Sequence, residues 1–186
     1  MLKRRGENLA YHAARLLLLI AFCGKPRGKQ AKTLPGIEGR TLLAKLDFFL
    51  RYPLYLKKAA VIEGRDSELT DEDYGMRPEV EAYSIESRMV RYLYGPWDHV
   101  YYSALAYLIG KGLIAVDKKG RTEVFRITPA GVETAERIAG DEAYADLAAR
   151  ARTAYRVLNK YGGNGLKNFI YDNFPEVVNR DIGATI

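Results

Sequence analysis

Between Met89 and Gly131 the chain reads MVRYLYGPWDHVYYSALAYLIGKGLIAVDKKGRTEVFRITPAG, and no other stretch limits the fold as much. Gly95 and Pro96 interrupt whatever precedes them, and Asp98 is placed to accept a backbone N–H in the first turn of a helix. Tyr101, Ala104, Leu105, Leu108 and Ile109 recur at helical spacing and make one apolar face. Gly110 and Gly112 stop that helix. Leu113 to Val116 is a short apolar run suited to a buried strand. Lys118-Lys119-Gly120-Arg121 is a turn, and Thr122 to Thr128 alternates as a second strand, with Val124 and Arg126 on one side. Thr128 then caps a new helix with Pro129 at its first position. Helix, strand, basic turn, strand and helix, in that order, make the second half of a winged helix, with the turn as the wing.

The surface of this helix bears on function. A helix that reads DNA sequence presents Arg, Lys, Asn or Gln to the base edges. Here the outward positions are His99, Tyr102, Ser103, Ala106 and Tyr107, and no Arg or Lys occurs from Asp98 through Gly110. Lys111 lies at the end, where it would meet a phosphate and carry little sequence information. The wing residues Lys118, Lys119 and Arg121 leave a nonspecific contact with the DNA backbone open. A solvated hairpin tip is the plainer reading of the same charges. Trp97, Tyr102 and Tyr107 are the best candidates for a protein interface, because large aromatics supply most of the binding energy at such contacts. Trp97 can instead plug the core at the helix start.

At 186 residues the chain suits one domain or two small ones, and 48% hydrophobic residues are ample for a core. No stretch reaches the roughly 20 apolar residues of a membrane span. Lys3, Arg4 and Arg5 ahead of Ala13–Cys23 superficially resemble a secretory leader, but Arg15 interrupts the run. A basic KPRGKQAK segment also follows where a cleavage site would stand, so the run is read as a core helix. The single cysteine, Cys23, allows no intrachain disulfide and is read as a small buried hydrophobe. The cytoplasm is the expected location.

The net charge of +6 is unevenly spread. Residues 1–32 hold Lys3, Arg4, Arg5, Arg15, Lys25, Arg27, Lys29 and Lys32 against one acid, Glu7. Residues 63–86 hold Glu63, Asp66, Glu68, Asp71, Glu72, Asp73, Glu79, Glu81 and Glu86 against Arg65 and Arg77. The basic end permits nucleic-acid contact, and the acidic middle opposes wrapping the whole chain on DNA.

The expected organisation is mainly α, of the α+β kind. Residues 1–62 form an N-terminal helical region: a helix over Leu9–Cys23, a polar basic loop over Gly24–Gly36, a helix over Arg40–Arg51 and a helical segment over Leu54–Ile62. This region can also be read as a degenerate first winged helix, which would make a tandem pair. Residues 63–86 are an acidic linker, with a loop over Glu63–Pro78. Residues 87–140 are the winged helix. Val80–Tyr94 leads into it, alternating in its first half and helix-compatible in its second. Residues 141–186 are C-terminal helices: Asp141–Tyr161, with Tyr144, Leu147, Ala148, Ala151, Tyr155 and Leu158 along one face, and Gly165–Phe174. Gly162 and Gly163 end the first of these, and the tail beyond Val178 is expected to fray. Ile-Glu-Gly-Arg occurs at Ile37–Arg40 and Ile62–Arg65, with turns at Gly39 and Gly64.

No strong catalytic or metal motif emerges, and no cofactor is expected. Tyr161-Gly-Gly-Asn-Gly165 is glycine-rich but follows a helix where a phosphate loop requires a strand. His12, His99 and Cys23 show no zinc-ligand spacing. Adjacent helical positions point about 100° apart, so Asp98 and His99 do not make an acid–base pair. The tyrosines Tyr83, Tyr92, Tyr94, Tyr101, Tyr102 and Tyr107 suit a protein interface, ordinary packing, or stacking on unpaired bases beside Arg88 and Arg91.

Three segments together resemble a known family. They are the apolar first helix with KLDFFLRYP (Lys45–Pro53), the segment SRMVRYLYGPWDHVYYSALAYLIGKGLI (Ser87–Ile114), and LKNFIYDNFPEV (Leu166–Val177). They look like the small middle components of bacterial three-component systems built around an SMC-like or ABC-type ATPase, including Lamassu-type anti-phage defence. The resemblance implies a non-enzymatic adaptor that sits on the ATPase and helps couple DNA sensing to an effector subunit. It supplies no catalytic residues. The competing reading is a winged-helix transcription regulator acting as a homodimer on two half-sites, which would rest on the basic wing and basic first third.

Overall fold

A computed structural model describes residues 9–26, 34–76 and 88–186. The basic residues Lys3, Arg4 and Arg5, the middle of the Gly24–Gly36 loop, Pro78 and the alternating run from Val80 to Ser87 lie outside the described residues. The chain is mainly helical with a small antiparallel sheet.

The centre is α1, Leu9–Cys23, whose residues from Tyr11 through Ile20 are all buried. Helices bear on it from several sides, so its sequence is apolar around the whole circumference. The strand β1, Gly36–Glu38, follows. Gly39, at φ +79°, turns the chain into α2, Arg40–Arg51. Pro53 opens α3, Pro53–Ile62, at a first-turn position where its missing N–H costs nothing. Gly64, at φ +66°, ends that helix, so both Ile-Glu-Gly-Arg copies turn at their glycine.

A two-stranded hairpin follows: β2, Val90–Tyr92, pairs with β3, Gly95–Trp97, in the register Val90↔Trp97. The helix-compatible reading of the residues before Gly95 is therefore corrected, as is the reading of Gly95-Pro96 as a mere break. Gly95 takes φ +114°, a conformation L side chains rarely adopt, and this lets the chain reverse within a few residues. Then come α4, Val100–Gly110, β4, Ile114–Lys119, and β5, Thr122–Ile127. Next are α5, Pro129–Ala139, α6, Ala145–Leu158, α7, Gly163–Asn173, and the short α8, Pro175–Val178. Thr128 caps α5 by accepting the Gly131 N–H at 3.0 Å. Gly162 and Gly163 open α7, which the sequence reading had placed two residues later.

The sheet order is β1-β5-β4, antiparallel throughout. The strand between α1 and α2 thus lies beside β5, with Ile37 opposite Phe125. Residues assigned by sequence to an N-terminal region and to a later unit share one sheet. They also share one hydrophobic core, which runs from Leu16 and Phe48 through Leu105 and Phe125 to Leu158 and Phe169. The described part of the acidic segment packs on this body. Tyr74 is buried, and Arg150 of α6 donates to the carbonyls of Tyr74, Gly75 and Leu50. Residues past Val178 are bonded along β2: Arg91 N–H donates to the Ala184 carbonyl, and Ile186 N–H to that of Met89, each at 2.8 Å. The fraying expected there is corrected.

The inward face of α4 is Tyr101, Ala104, Leu105 and Leu108. Ile109, expected inward, is exposed, and so is Tyr155 on α6. The buried strand expected at Leu113–Val116 is buried only at Ile114, because β4 is a sheet edge whose alternate residues face solvent. Leu105→Asp or Leu108→Asp would set an unpaired carboxylate in this core and cost about 4 kcal/mol. Thermal unfolding followed by circular dichroism should show a strongly lowered midpoint for each; an unshifted midpoint would place these residues on the surface.

Candidate functional site

The orientation of α4 is set from below by a buried polar network. Asp47 on α2 accepts from Arg15 Nε at 2.6 Å and Nη2 at 3.2 Å, from Arg51 Nε at 2.9 Å, and from the Tyr101 hydroxyl at 2.8 Å. Arg15, Asp47, Arg51 and Tyr101 are all fully buried. Arg51 Nη1 reaches Asp98 at 2.7 Å, and the other oxygen of Asp98 accepts the Val100 N–H at 2.9 Å. Asp98 therefore starts the helix as the sequence suggested, and also ties it to α2. Two guanidinium groups face two carboxylates, so the cluster is neutral overall.

Burial alone would raise the Asp47 pKa. The Arg15 and Arg51 charges and the hydrogen bonds from Arg15 and Tyr101 outweigh it and hold the carboxyl below its ordinary value of 3.8. The same burial, with the Asp47 charge beside it, pushes the Tyr101 phenol well above its usual range. The sequence reading does not anticipate this network. The available signals were an arginine inside an apolar helix and an Asp–Arg pair four residues apart in KLDFFLR.

Above the network sits an aromatic ladder. Tyr101 meets Trp97 edge-to-face at 5.2 Å between centroids. Trp97 in turn contacts Tyr92 at 5.9 Å and Tyr102 at 6.1 Å. Trp97 is 8% exposed, so it is the plug of the ladder and offers little surface of its own. Tyr102 is 56% and Tyr107 37% exposed, with Arg40 over the first ring and Lys111 over the second. His99, Ser103, Ala106 and Ile109 complete the exposed side of α4. The hairpin adds Tyr92, Leu93 and Tyr94, all exposed, which the sequence reading had not placed on one surface.

Arg40 links the ladder to β5, since it lies over the Tyr102 ring and pairs with Glu123. Lys111, Lys118, Lys119 and Arg121 are exposed. Lys119 pairs with Glu38 at 2.7 Å, and Arg40 pairs with Glu123 at 2.8 Å, so part of the basic charge is neutralised locally.

A cavity of about 790 Å³ opens between the outer face of the sheet and the junction of α6 with α7. Its charged lining includes the pairs Lys119–Glu38 and Arg126–Asp117. Cys23 at its edge donates to the Ala151 carbonyl at 3.2 Å, and burial pushes its thiol up to about 12. Among the described residues, no group of three or more His, Cys, Asp or Glu is arranged to hold a metal ion. No described helix is long and apolar enough to cross a membrane. No protein-family model matches the sequence, and no curated protein and no solved structure is significantly similar to it.

Removing the acceptor of the network leaves two buried guanidinium groups short of a partner. Asp47→Asn should therefore lower stability at pH 7 by about 3–5 kcal/mol. Because the folded-state pKa of Asp47 is depressed, its contribution is full above the unfolded value and is lost as pH falls through the folded one. Urea unfolding of both proteins should show a difference that holds from pH 7 down to the ordinary carboxyl value of 3.8 and shrinks below it. A difference independent of pH would contradict the charged state assigned to Asp47.

Proposed function

We propose that the chain is a non-enzymatic docking subunit built on one winged helix, acting as an accessory to an SMC-like or ABC-type ATPase, in anti-phage defence, beside an effector subunit. In this reading α1, β1, α2, α4, β4 and β5 are the helices and strands of a single winged helix. The segment from α3 to β3 is an insertion between its second and third helices. The order β1-β5-β4 supports this assignment. It leaves no separate N-terminal winged helix, so a tandem pair is not proposed.

The observation that carries the functional reading is the exposed side of α4. It offers His99, Tyr102, Ser103, Ala106, Tyr107 and Ile109, with no Arg, Lys, Asn or Gln to make the bidentate contacts that discriminate between bases. Aromatic and aliphatic groups of this kind fit a protein partner. The resemblance of Lys45–Pro53, Ser87–Ile114 and Leu166–Val177 to the middle components of ATPase systems supplies the class of partner. Lys111, Lys118, Lys119 and Arg121 suit weak, salt-sensitive contact with DNA backbone. The reading as a homodimeric transcription regulator has less support, because it needs a base-reading helix.

Copurification from native cells tests the proposal. A large coiled-coil ATPase should come down with the tagged chain; a single promoter fragment with no protein partner would overturn it. Tyr102→Ala with Tyr107→Ala should leave the fold intact and weaken assembly by about 1–3 kcal/mol. Neutralising Lys118, Lys119 and Arg121 should weaken DNA contact and spare assembly. The reverse pattern would assign the two surfaces the other way round.

A further inference from the structure

The β2–β3 hairpin has two unlike faces. Val90, Tyr92 and Trp97 share one, and Tyr92 and Trp97 stack there as part of the aromatic ladder. Arg91 points to the other, where its guanidinium lies 5.6 Å from the Tyr171 ring centroid. Lys167 Nζ lies 5.3 Å from the same centroid. The Tyr171 hydroxyl donates to the Leu93 carbonyl, so this cationic face adjoins the hairpin tip. The tip is apolar and open: Leu93 is 54% and Tyr94 57% exposed.

Among the described residues, neither Arg91 nor Lys167 has a carboxylate within ion-pair distance. Arg91 Nε donates to the Val178 carbonyl at 2.9 Å, and its Nη1 is buried with no acceptor among the described residues. The half-exposed Lys167 is therefore the more accessible of the two cations. Arg180 likewise donates to carbonyls, those of Glu176 and Thr185. Of the carboxylates on α7 and α8, Glu176 pairs with Lys58, and Asp172 is exposed with no ion pair among the described residues.

We propose that the hairpin tip, Leu93 and Tyr94, inserts into an apolar cleft of the protein partner whose lip carries carboxylates on the side facing Arg91 and Lys167. The inference rests on the docking reading above and extends it from α4 to the hairpin. Like charge disfavours a second copy of the chain against the same patch. A nucleic-acid strand would want open ring faces on which to stack its bases, but the Tyr171 ring is half-buried with Arg91 and Lys167 against it, and Leu93 at the tip is aliphatic.

The test places a photo-crosslinking benzoylphenylalanine at Tyr94, and separately at Tyr107, in the full chain in native cells. The expected result is cross-linking from both positions to one polypeptide. The peptide captured at position 94 should be apolar with adjoining Asp or Glu. Lys167→Glu should lower cross-linking from position 94 by about fivefold, Lys167→Gln by less, and changing the captured acids to Lys should restore the Glu variant. Capture at position 94 of nucleic acid, of a second copy, or of a peptide without acids overturns the inference, as does indifference to Lys167→Glu. A silent position 94 beside an active position 107 overturns the inference and leaves docking by α4 standing. Silence at both positions removes both.

Discussion

Asp47 is the point on which the arrangement of helices depends. One carboxylate accepts from a guanidinium on α1, a second on its own helix, and a phenol on α4. Buried ions of this kind cost several kcal/mol each to desolvate, and attraction offsets that cost only when the geometry is good. Asp47 is well satisfied by its four short contacts, whereas Arg15 Nη1 and Arg51 Nη2 are buried without an acceptor among the described residues and add to the cost. The value of such a cluster lies less in net stability than in angle. An apolar surface lets a helix slide or rotate, whereas the Tyr101–Asp47 hydrogen bond and the Asp98–Arg51 link set the orientation of α4 on α2. That orientation turns Tyr102 and Tyr107 outward and closes Trp97 over the cluster.

The surface follows from the same constraint. Tyr101 is shared: its hydroxyl belongs to the network and its ring to the ladder that ends at Tyr92 and Tyr102. A change at Asp47 would therefore be felt at the exposed side of α4 through two rings in contact. The hairpin depends on the ladder in turn, since Trp97 is both its last residue and the plug. Residues 183–186 hold the opposite edge of β2. The proposed partner-facing groups thus rest on rigid elements, which lowers the ordering cost of binding.

Much of this was legible in the sequence. The helices α1, α2 and α5 have the limits read from periodicity and caps, and the inward residues Leu105 and Leu108 are buried as their spacing required. The outward tyrosines of α4 were legible for the same reason. The hairpin was not: three-residue strands are too short for alternation to register, and Gly95-Pro96 resembles a stop. Strand β1 was hidden likewise, since Gly36–Glu38 becomes a strand only through its long-range pairing with β5. The buried network was invisible for a different cause. Charged side chains are exposed by default, and nothing local distinguishes an Asp or Arg that will find its partner on another helix. Trp97 shows the ambiguity of a lone tryptophan, which serves equally as anchor or plug until its neighbours are known.

Native-state hydrogen exchange tests most directly the claim that the network makes α1, α2 and α4 one unit. In the unaltered protein, the amides of Leu18 and Leu19, of Phe49 and Leu50, and of Leu105 and Leu108 should open with one common free energy, equal to that of global unfolding. In Asp47→Asn all three sets should fall together. Separate exchange of the α4 amides, at a lower free energy unaffected by the Asp47 change, would show that the helix is held by other contacts and would contradict the account.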